Sequence, residues 1–99
     1  MPTYSTRAYE AALERVGFRR DTTHHQMFWY YDGDKKSPLR TRTSHGEKEF
    51  NDSMLSLRRR QIGSLSKAQF LSLLGGTLTP EAYRQHLLDS DVLLPTEAE

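Results

Sequence analysis

The segment from Thr6 to Val16 carries apolar residues at the three- and four-residue spacing of an amphipathic helix. This apolar stripe consists of Ala8, Tyr9, Ala12, Leu13 and Val16. Gly17 follows the stripe, and glycine is the residue that most often ends a helix. The pattern predicts a first helix over these residues, then a short extended segment at Phe18–Asp21 and a polar turn at residues 21–23.

Large residues that favour β-structure fill the next segment, from His25 to Tyr31. Two sets alternate along it: His25, Met27, Trp29 and Tyr31 on one face, and Gln26, Phe28 and Tyr30 on the other. Because aromatic rings occur in both sets, the pattern predicts a strand and leaves open which face is buried.

A hairpin turn is predicted at Asp32-Gly33-Asp34, because Asp-Gly readily supplies the positive φ that a tight turn requires. The following strand is predicted over residues 39–44. Arg40 and Arg42 share one face of that strand, so one face of the hairpin is cationic. Pro38 has no N–H to donate inside a central strand, and we therefore expect it to begin the strand.

A second helix is predicted from Asn51 or Asp52 to about Ile62, closed by Gly63. Its apolar stripe is Met54, Leu55, Leu57, Ile62 and Leu65. Its last turn carries Arg58, Arg59 and Arg60. Cations at this end complement the negative end of the helix dipole, which is a structural reason for their presence.

Two more helices are predicted from their first turns. Ser66-Lys67-Ala68-Gln69 matches a capping box, and Thr79-Pro80-Glu81 places proline at the first helical position. The fourth helix is expected to reach about Leu88, and the tail from about Ser90 to be frayed. The predicted order is α-β-β-β-α-α-α, which is an α+β fold.

The composition restricts the class of protein. A chain of 99 residues is expected to form a single domain, over residues 1–99. It has no cysteine, so a disulfide framework, a cysteine-based zinc site and thiol chemistry are excluded. No apolar run approaches membrane-spanning length and no signal peptide is recognisable, so we expect a cytoplasmic protein without a membrane partner.

The formal charge of +1 is unevenly distributed along the chain. Residues 35–60 hold eight basic and three acidic residues, whereas residues 76–99 hold one basic and five acidic residues. A basic middle segment suits a polyanion such as RNA. An ordinary solvated surface is the alternative explanation for the same charges.

The histidines are the residues best suited to chemistry. His24 and His25 are adjacent, so on a strand they point to opposite faces and cannot bind one metal ion together. No histidine spacing typical of a metal site occurs, and we expect neither a metal nor a cofactor. A histidine beside a cationic hairpin can exchange a proton with a ribose 2′-hydroxyl, although it can equally pack in a partner interface.

Taken in order, several segments resemble the HicA family of bacterial toxins. The matching segments are Leu13-Glu14-Arg15-Val16-Gly17-Phe18, Thr23-His24-His25-Gln26-Met27-Phe28, Asp32-Gly33, Thr43-Ser44-His45-Gly46-Glu47 and the helix from Asn51. The similarity covers about residues 5–75. It implies a double-stranded-RNA-binding-like α-β-β-β-α core, with a C-terminal helical extension over about residues 66–89 and a tail at 90–99.

The same resemblance implies an activity and a partner. The activity is metal-independent cleavage of mRNA by a single histidine, His25, with His24 as the alternative. The partner is a HicB-like antitoxin that covers this histidine, and no DNA contact of the chain's own is expected. The candidate phosphate ligands are Arg19, Arg20, Arg40, Arg42 and Lys48.

Two other functions remain open from the sequence. One is a non-catalytic module that binds RNA or protein through the same hairpin, because this fold often binds RNA by shape without cutting it. The other is an antitoxin-like inhibitor of another macromolecule, which would use the acidic tail as its contact.

Overall fold

A computed structural model describes residues 3–21, 26–44 and 46–90 of the chain. The element order is β1 (Thr3–Ser5), α1 (Thr6–Val16), β2 (Phe18–Asp21), β3 (Gln26–Asp32), β4 (Lys35–Thr43), β5 (Glu49–Asn51), α2 (Asp52–Gln61), α3 (Lys67–Gly75) and α4 (Pro80–Asp89). This confirms the α+β class. The predicted turn at residues 21–23 and the predicted frayed tail fall almost entirely outside the described residues.

Local signals fixed the ends of the helices. Asn51 caps α2, and Ser66 and Gln69 form the expected capping box of α3. Thr79 caps α4, and Pro80 occupies its first turn. Gly17 ends α1 with a φ of 126°, a conformation that an L-residue rarely adopts. The predicted helix boundaries are therefore confirmed to within one or two residues.

Strands β2, β3 and β4 form an antiparallel sheet in the order β2-β3-β4. One face of this sheet packs on the helices, and its buried residues are Phe18, Phe28, Tyr30, Thr41 and Thr43. The side chains on the opposite face are exposed or half-buried. We call this opposite side the open face. Its residues are Arg19, Asp21, Met27, Trp29, Tyr31, Lys36, Arg40 and Arg42.

The helical extension shares one apolar core with the sheet. Tyr83 of α4 packs edge-on against Tyr30, with 5.5 Å between ring centroids, and Phe70 of α3 lies 5.5 Å from Tyr9 of α1. The fully buried side chains of this core include Tyr9, Leu13, Phe28, Leu55, Ile62, Leu65, Phe70, Leu73, Tyr83 and Leu87. Among the described residues, the helices pack on one side of the sheet: α1 and α4 contact β2 and β3, and α2 contacts β4.

A second sheet, formed by β1 and β5, was absent from the predicted order. The two strands pair antiparallel, with Thr3 opposite Asn51 and Tyr4 opposite Phe50. Each strand has three residues, which is too short for an alternating pattern to be recognised. Because the pairing is antiparallel, α1 and α2 begin at opposite ends of this short ribbon.

The prediction that Pro38 begins its strand is wrong, because β4 starts at Lys35. The strand bulges opposite Tyr30, and Pro38 lies inside the bulge. There the Ser37 hydroxyl donates to the Tyr30 carbonyl at 2.9 Å and accepts from the Leu39 N–H at 3.2 Å. The side chain of Ser37 thus replaces ladder bonds, and a proline is tolerated.

The predicted apolar stripe of α2 is also partly wrong. Met54 and Leu57 are 37% and 40% exposed, whereas Arg58 is only 3% exposed. The guanidinium of Arg58 lies over the rings of Tyr9 and Phe50, at 5.2 and 4.7 Å from their centroids. Arg58 can face the core because its charge is paired there with the carboxylate of Glu47.

Candidate functional site

The residue predicted to be catalytic, His25, lies outside the described residues. His24 and His25 belong to the segment 22–25, which is outside the described residues, and His45 is outside them as well. The described part of β3 begins at Gln26, directly after His25 in sequence. The role of His25 and the alternative of His24 therefore stay predictions, and the described residues that follow them in sequence belong to β3.

Cross-strand pairing assembles the open face from three strands. Arg19 of β2 and Arg40 of β4 lie opposite Trp29 of β3, one on each side. Met27 lies opposite Arg42 in the same way. Residues directly opposite each other in antiparallel strands share a face of the sheet. Two of the predicted phosphate ligands, Arg40 and Arg42, are thus next to the strand that follows His25.

Trp29 occupies the middle of the open face and is half-buried. The Lys36 ammonium lies 4.1 Å from its ring centroid, and the Arg40 guanidinium carbon lies 5.3 Å away. Both distances are within the range of a cation–π contact. Lys36 was not among the phosphate ligands predicted from the sequence. The two-residue turn pairs Asp32 with Lys35, and this register places Lys36 opposite Tyr31.

Tyr31 holds the second ring of the open face. The guanidinium carbon of Arg19 lies 4.1 Å from its centroid. Arg19 also donates to the Gly33 carbonyl at 3.0 Å and pairs with the carboxylate of Asp34 at 3.3 Å. Gly33 lies in the predicted turn and has a φ of 65°. These contacts attach Arg19, another predicted ligand, to the hairpin turn.

The remaining cations of the open face have no acidic partner among the described residues. In residues 3–21, 26–44 and 46–90, no carboxylate pairs with Lys36, Arg40 or Arg42. Asp34 of the turn pairs with Arg19, and Asp21, which belongs to the open face, has an interaction of its own. Three unneutralised cations around two aromatic rings produce a positive surface potential suited to a polyanion.

Arg20 lies on the other side of the sheet. Its guanidinium pairs with Glu14 at 3.2 Å and with Glu10 at 3.7 Å, both on α1. It also donates to the Gln26 side chain at 3.1 Å and lies over the ring of Phe28. The structure therefore separates Arg20 from the other predicted arginine ligands.

Lys48 is exposed beside β5, and its carbonyl accepts from the N–H of Thr6 at 3.0 Å. This position belongs to the two-stranded sheet and not to the open face. Of the five predicted ligands, the fold thus brings together Arg19, Arg40 and Arg42.

A buried ion pair fixes the segment that follows β4. Arg58 donates two bonds to the Glu47 carboxylate, at 2.7 and 3.0 Å, and a third to the Arg42 carbonyl at 3.2 Å. Glu47 also accepts from the Ser44 N–H and the Thr6 hydroxyl. The bonds from Arg58, followed by those from Ser44 and Thr6, lower the pKa of Glu47 from 4.5 to about 2, against the opposing effect of desolvation.

A second ion pair joins the sheet to α4. Arg84 donates to both carboxylate oxygens of Asp32, at 2.8 and 3.3 Å. This hydrogen bonding lowers the pKa of Asp32 below its usual value. Asp32 ends β3 on the helix side, so the pair ties the hairpin to the last described helix.

Comparison with known proteins adds no relative. No protein-family model, curated protein or solved structure matches this chain.

Within the described segments, no group of three or more acidic or histidine side chains is placed to hold a metal ion. In the same segments no helix is both long and apolar enough to cross a membrane.

Proposed function

We propose that this chain is a HicA-like endoribonuclease that cleaves mRNA, with His25 as its general acid or base. His24 is the alternative for that role. The observation that carries the proposal is the open face, where Arg40 and Arg42 stand without acidic partners among the described residues, beside the strand that follows His25. RNA phosphates are the natural ligands of such cations.

The chemistry requires few protein groups, because RNA carries its own nucleophile. His25, acting as base, accepts the proton of a ribose 2′-hydroxyl, and the 2′-oxygen attacks the adjacent phosphorus. The bond from phosphorus to the 5′-oxygen breaks, and that oxygen takes a proton from water. The products carry a 2′,3′-cyclic phosphate and a 5′-hydroxyl. Arg40 and Arg42 would stabilise the negative charge that accumulates on the phosphate.

The element order supports the family part of the proposal. Helix α1, strands β2 to β4 and helix α2 follow one another as in the α-β-β-β-α core of a double-stranded-RNA-binding-like fold, with β5 inserted before α2. The partner proposed with this fold is a HicB-like antitoxin in the cytoplasm. It would inhibit the enzyme by covering the cationic face and the histidine.

The decisive experiment compares His25→Ala with His24→Ala as the matched neighbour. We expect His25→Ala to lower the RNA cleavage rate by at least about 100-fold, the usual contribution of a general acid or base, and to relieve growth arrest. His24→Ala should retain both activities. Circular dichroism spectra of the variants check that the fold is unchanged, and chelator in the assay removes metal ions.

The outcomes separate the candidate functions. If only His24→Ala is inactive, the catalytic histidine is His24 and not His25. Cleavage that persists in both single variants and in the double variant would rule out a histidine nuclease. A wild-type chain that binds RNA without cutting it would establish the second candidate, a non-catalytic RNA-binding module. The open-face cations that have no acidic partner among the described residues favour this candidate equally.

A further inference from the structure

Trp29 is the only tryptophan of the chain, and it lies on the side of the sheet that faces away from the core. The aromatic rings of the core contact one another, as Tyr9, Phe50 and Phe70 do. In contrast, across the described segments, the rings of Trp29 and Tyr31 make no ring-to-ring contact and instead have the cations Lys36, Arg40 and Arg19 over them. A large ring in the central strand of a sheet, half-buried and outside the core, is better suited to a ligand than to folding.

We infer that Trp29 is a stacking site for an unpaired base, so that the open face selects single-stranded over double-stranded RNA. This inference rests on the proposed function in taking RNA as the ligand. Aromatic side chains on a cationic surface are the common means by which proteins bind single strands, since every base has a π-face. Tyr31 lies two residues further along the same strand and offers a second ring.

The cations beside Trp29 fit both states of such a site. In the free protein, Lys36 and Arg40 lie over its ring and cover apolar surface. An exposed cation–π contact is weak, so an arriving base can displace either side chain. The displaced ammonium or guanidinium then meets the phosphates that flank the stacked base. The exchange replaces a ring contact by an ion pair with the RNA backbone.

The geometry of the ring explains the preference for unpaired bases. In a duplex, each base is stacked between its neighbours and its flat faces are inaccessible. Trp29 belongs to the middle strand of the sheet, between β2 and β4, and so does not project from a loop that could enter a groove. Only a base that has left the stack can lie on this ring.

Charge complementarity favours RNA over a protein as the occupant of this face. Lys36, Arg40 and Arg42 have no carboxylate partner in the described part of the chain, so a neutral apolar protein surface would bury three unpaired charges. An acidic protein surface would neutralise them but would leave the two rings without a stacking partner. A single strand supplies phosphates and bases together.

The single tryptophan provides a direct test. Its fluorescence is recorded on the full chain while a short 2′-O-methyl RNA strand is added, because a blocked 2′-oxygen prevents cleavage. We expect the single strand to quench Trp29 strongly. The same strand annealed into a duplex should quench weakly, and polyphosphate, which has charge but no bases, should bind without quenching.

Variants then measure the energetic importance of stacking. Trp29→Ala should weaken single-strand affinity by between about 5- and 150-fold, measured by anisotropy of a dye-labelled strand. Trp29→Phe, which keeps a ring, should lose much less. Affinity for polyphosphate should change little in either variant. Leu71→Ala removes an exposed apolar side chain from α3 and is the matched control, with no expected effect.

Several results would overturn the inference. It fails if duplex or polyphosphate quenches Trp29 as strongly as the single strand, or if the single strand binds without changing the fluorescence. Quenching by polyglutamate but not by RNA would assign the face to an acidic protein. Because the probe cannot be cleaved, binding at Trp29 and cleavage by His25 are measured separately, and either proposal can fail while the other stands.

Discussion

The two faces of the three-stranded sheet use cations in opposite ways. On the helix side, Arg20 and Arg84 are each paired with a carboxylate of α1 or β3. On the open face, Lys36, Arg40 and Arg42 lie against rings or solvent and meet no carboxylate of the described residues. The first group holds elements together, whereas the second leaves positive charge available to a ligand.

The contrast is sharpest between two residues that are adjacent in sequence. Arg19 and Arg20 point to opposite faces because side chains alternate along a strand. Arg20 is neutralised by Glu10 and Glu14, and Arg19 is attached to the hairpin turn beside Tyr31. A basic segment is therefore not a single surface, and each cation has to be assigned to a face before it is assigned a function.

The largest effect is expected where a structural cation loses its acid. Glu47→Gln would leave the charge of Arg58, 3% exposed, without a counter-charge, and this should lower the free energy of unfolding by about 3 to 5 kcal/mol. Chemical denaturation at neutral pH measures the change. Glu49→Gln, on the exposed side of β5, is the matched control and should change stability by less than about 0.5 kcal/mol.

The same ion pair predicts a pH dependence. Folding lowers the pKa of Glu47 from 4.5 to about 2, so the stability contributed by this carboxylate is complete above pH 4.5 and is lost as the pH falls toward 2. Glu47→Gln should remove that part of the acid dependence. A double variant, Glu47→Gln with Arg58→Met, should recover part of the lost stability, and no recovery would mean that packing and not charge was the cause.

An intermediate effect is expected when the open face loses cations. The double variant Arg40→Ala/Arg42→Ala should weaken single-stranded RNA binding about tenfold and reduce the slope of log affinity against log salt by about 1.4, or about 0.7 for each phosphate contact. Its unfolding free energy should stay within about 0.5 kcal/mol of the wild-type value.

Arg20→Ala is the matched control on the helix side, and it should leave the salt slope unchanged because its charge is already neutralised by α1. If Arg20→Ala lowered the slope as much as a substitution on the open face, the assignment of functions to the two faces would be wrong. That result would return Arg20 to the set of phosphate ligands that the sequence indicates.

The smallest effect is expected at the ion pair between the sheet and α4. Asp32→Asn removes the partner of Arg84 and should lower the midpoint of thermal unfolding by about 2 to 4 °C, since a partly exposed pair contributes little. The loss should shrink in acid, because the lowered pKa of Asp32 means that its contribution is present only above its ordinary titration range. Asp34→Asn, on the fully exposed turn, should leave the midpoint unchanged.

Features encoded within a few residues could be predicted, and features that depend on distant residues could not. The capping box at Ser66 and the proline at the start of α4 are local signals, and both helices begin there. The pairing of β1 with β5 joins Thr3 to Asn51, and the burial of Arg58 depends on Glu47 in another segment. Periodicity along one helix contains no information about such partners.

The candidate site divides in the same way. The placement of Arg40 and Arg42 on one face could be predicted from the alternation along the strand. Lys36 could have been predicted as well, because a two-residue turn determines the register of the hairpin. The pairing of Arg20 with Glu10 and Glu14 could not be predicted, because it depends on how α1 crosses the sheet. The histidines, which carry the proposed chemistry, remain predictions from the sequence.

The bulge around Pro38 has a consequence for how the protein behaves at high concentration. Strand β4 is nine residues long and comes last in the order β2-β3-β4. A regular strand of that length at a sheet edge is a template on which strands of other molecules add and aggregate. Pro38 removes one donor, and the bulge held by Ser37 interrupts the ladder in mid-strand. We therefore expect an incoming chain to find no continuous edge to extend, so that β-sheet polymerisation is disfavoured.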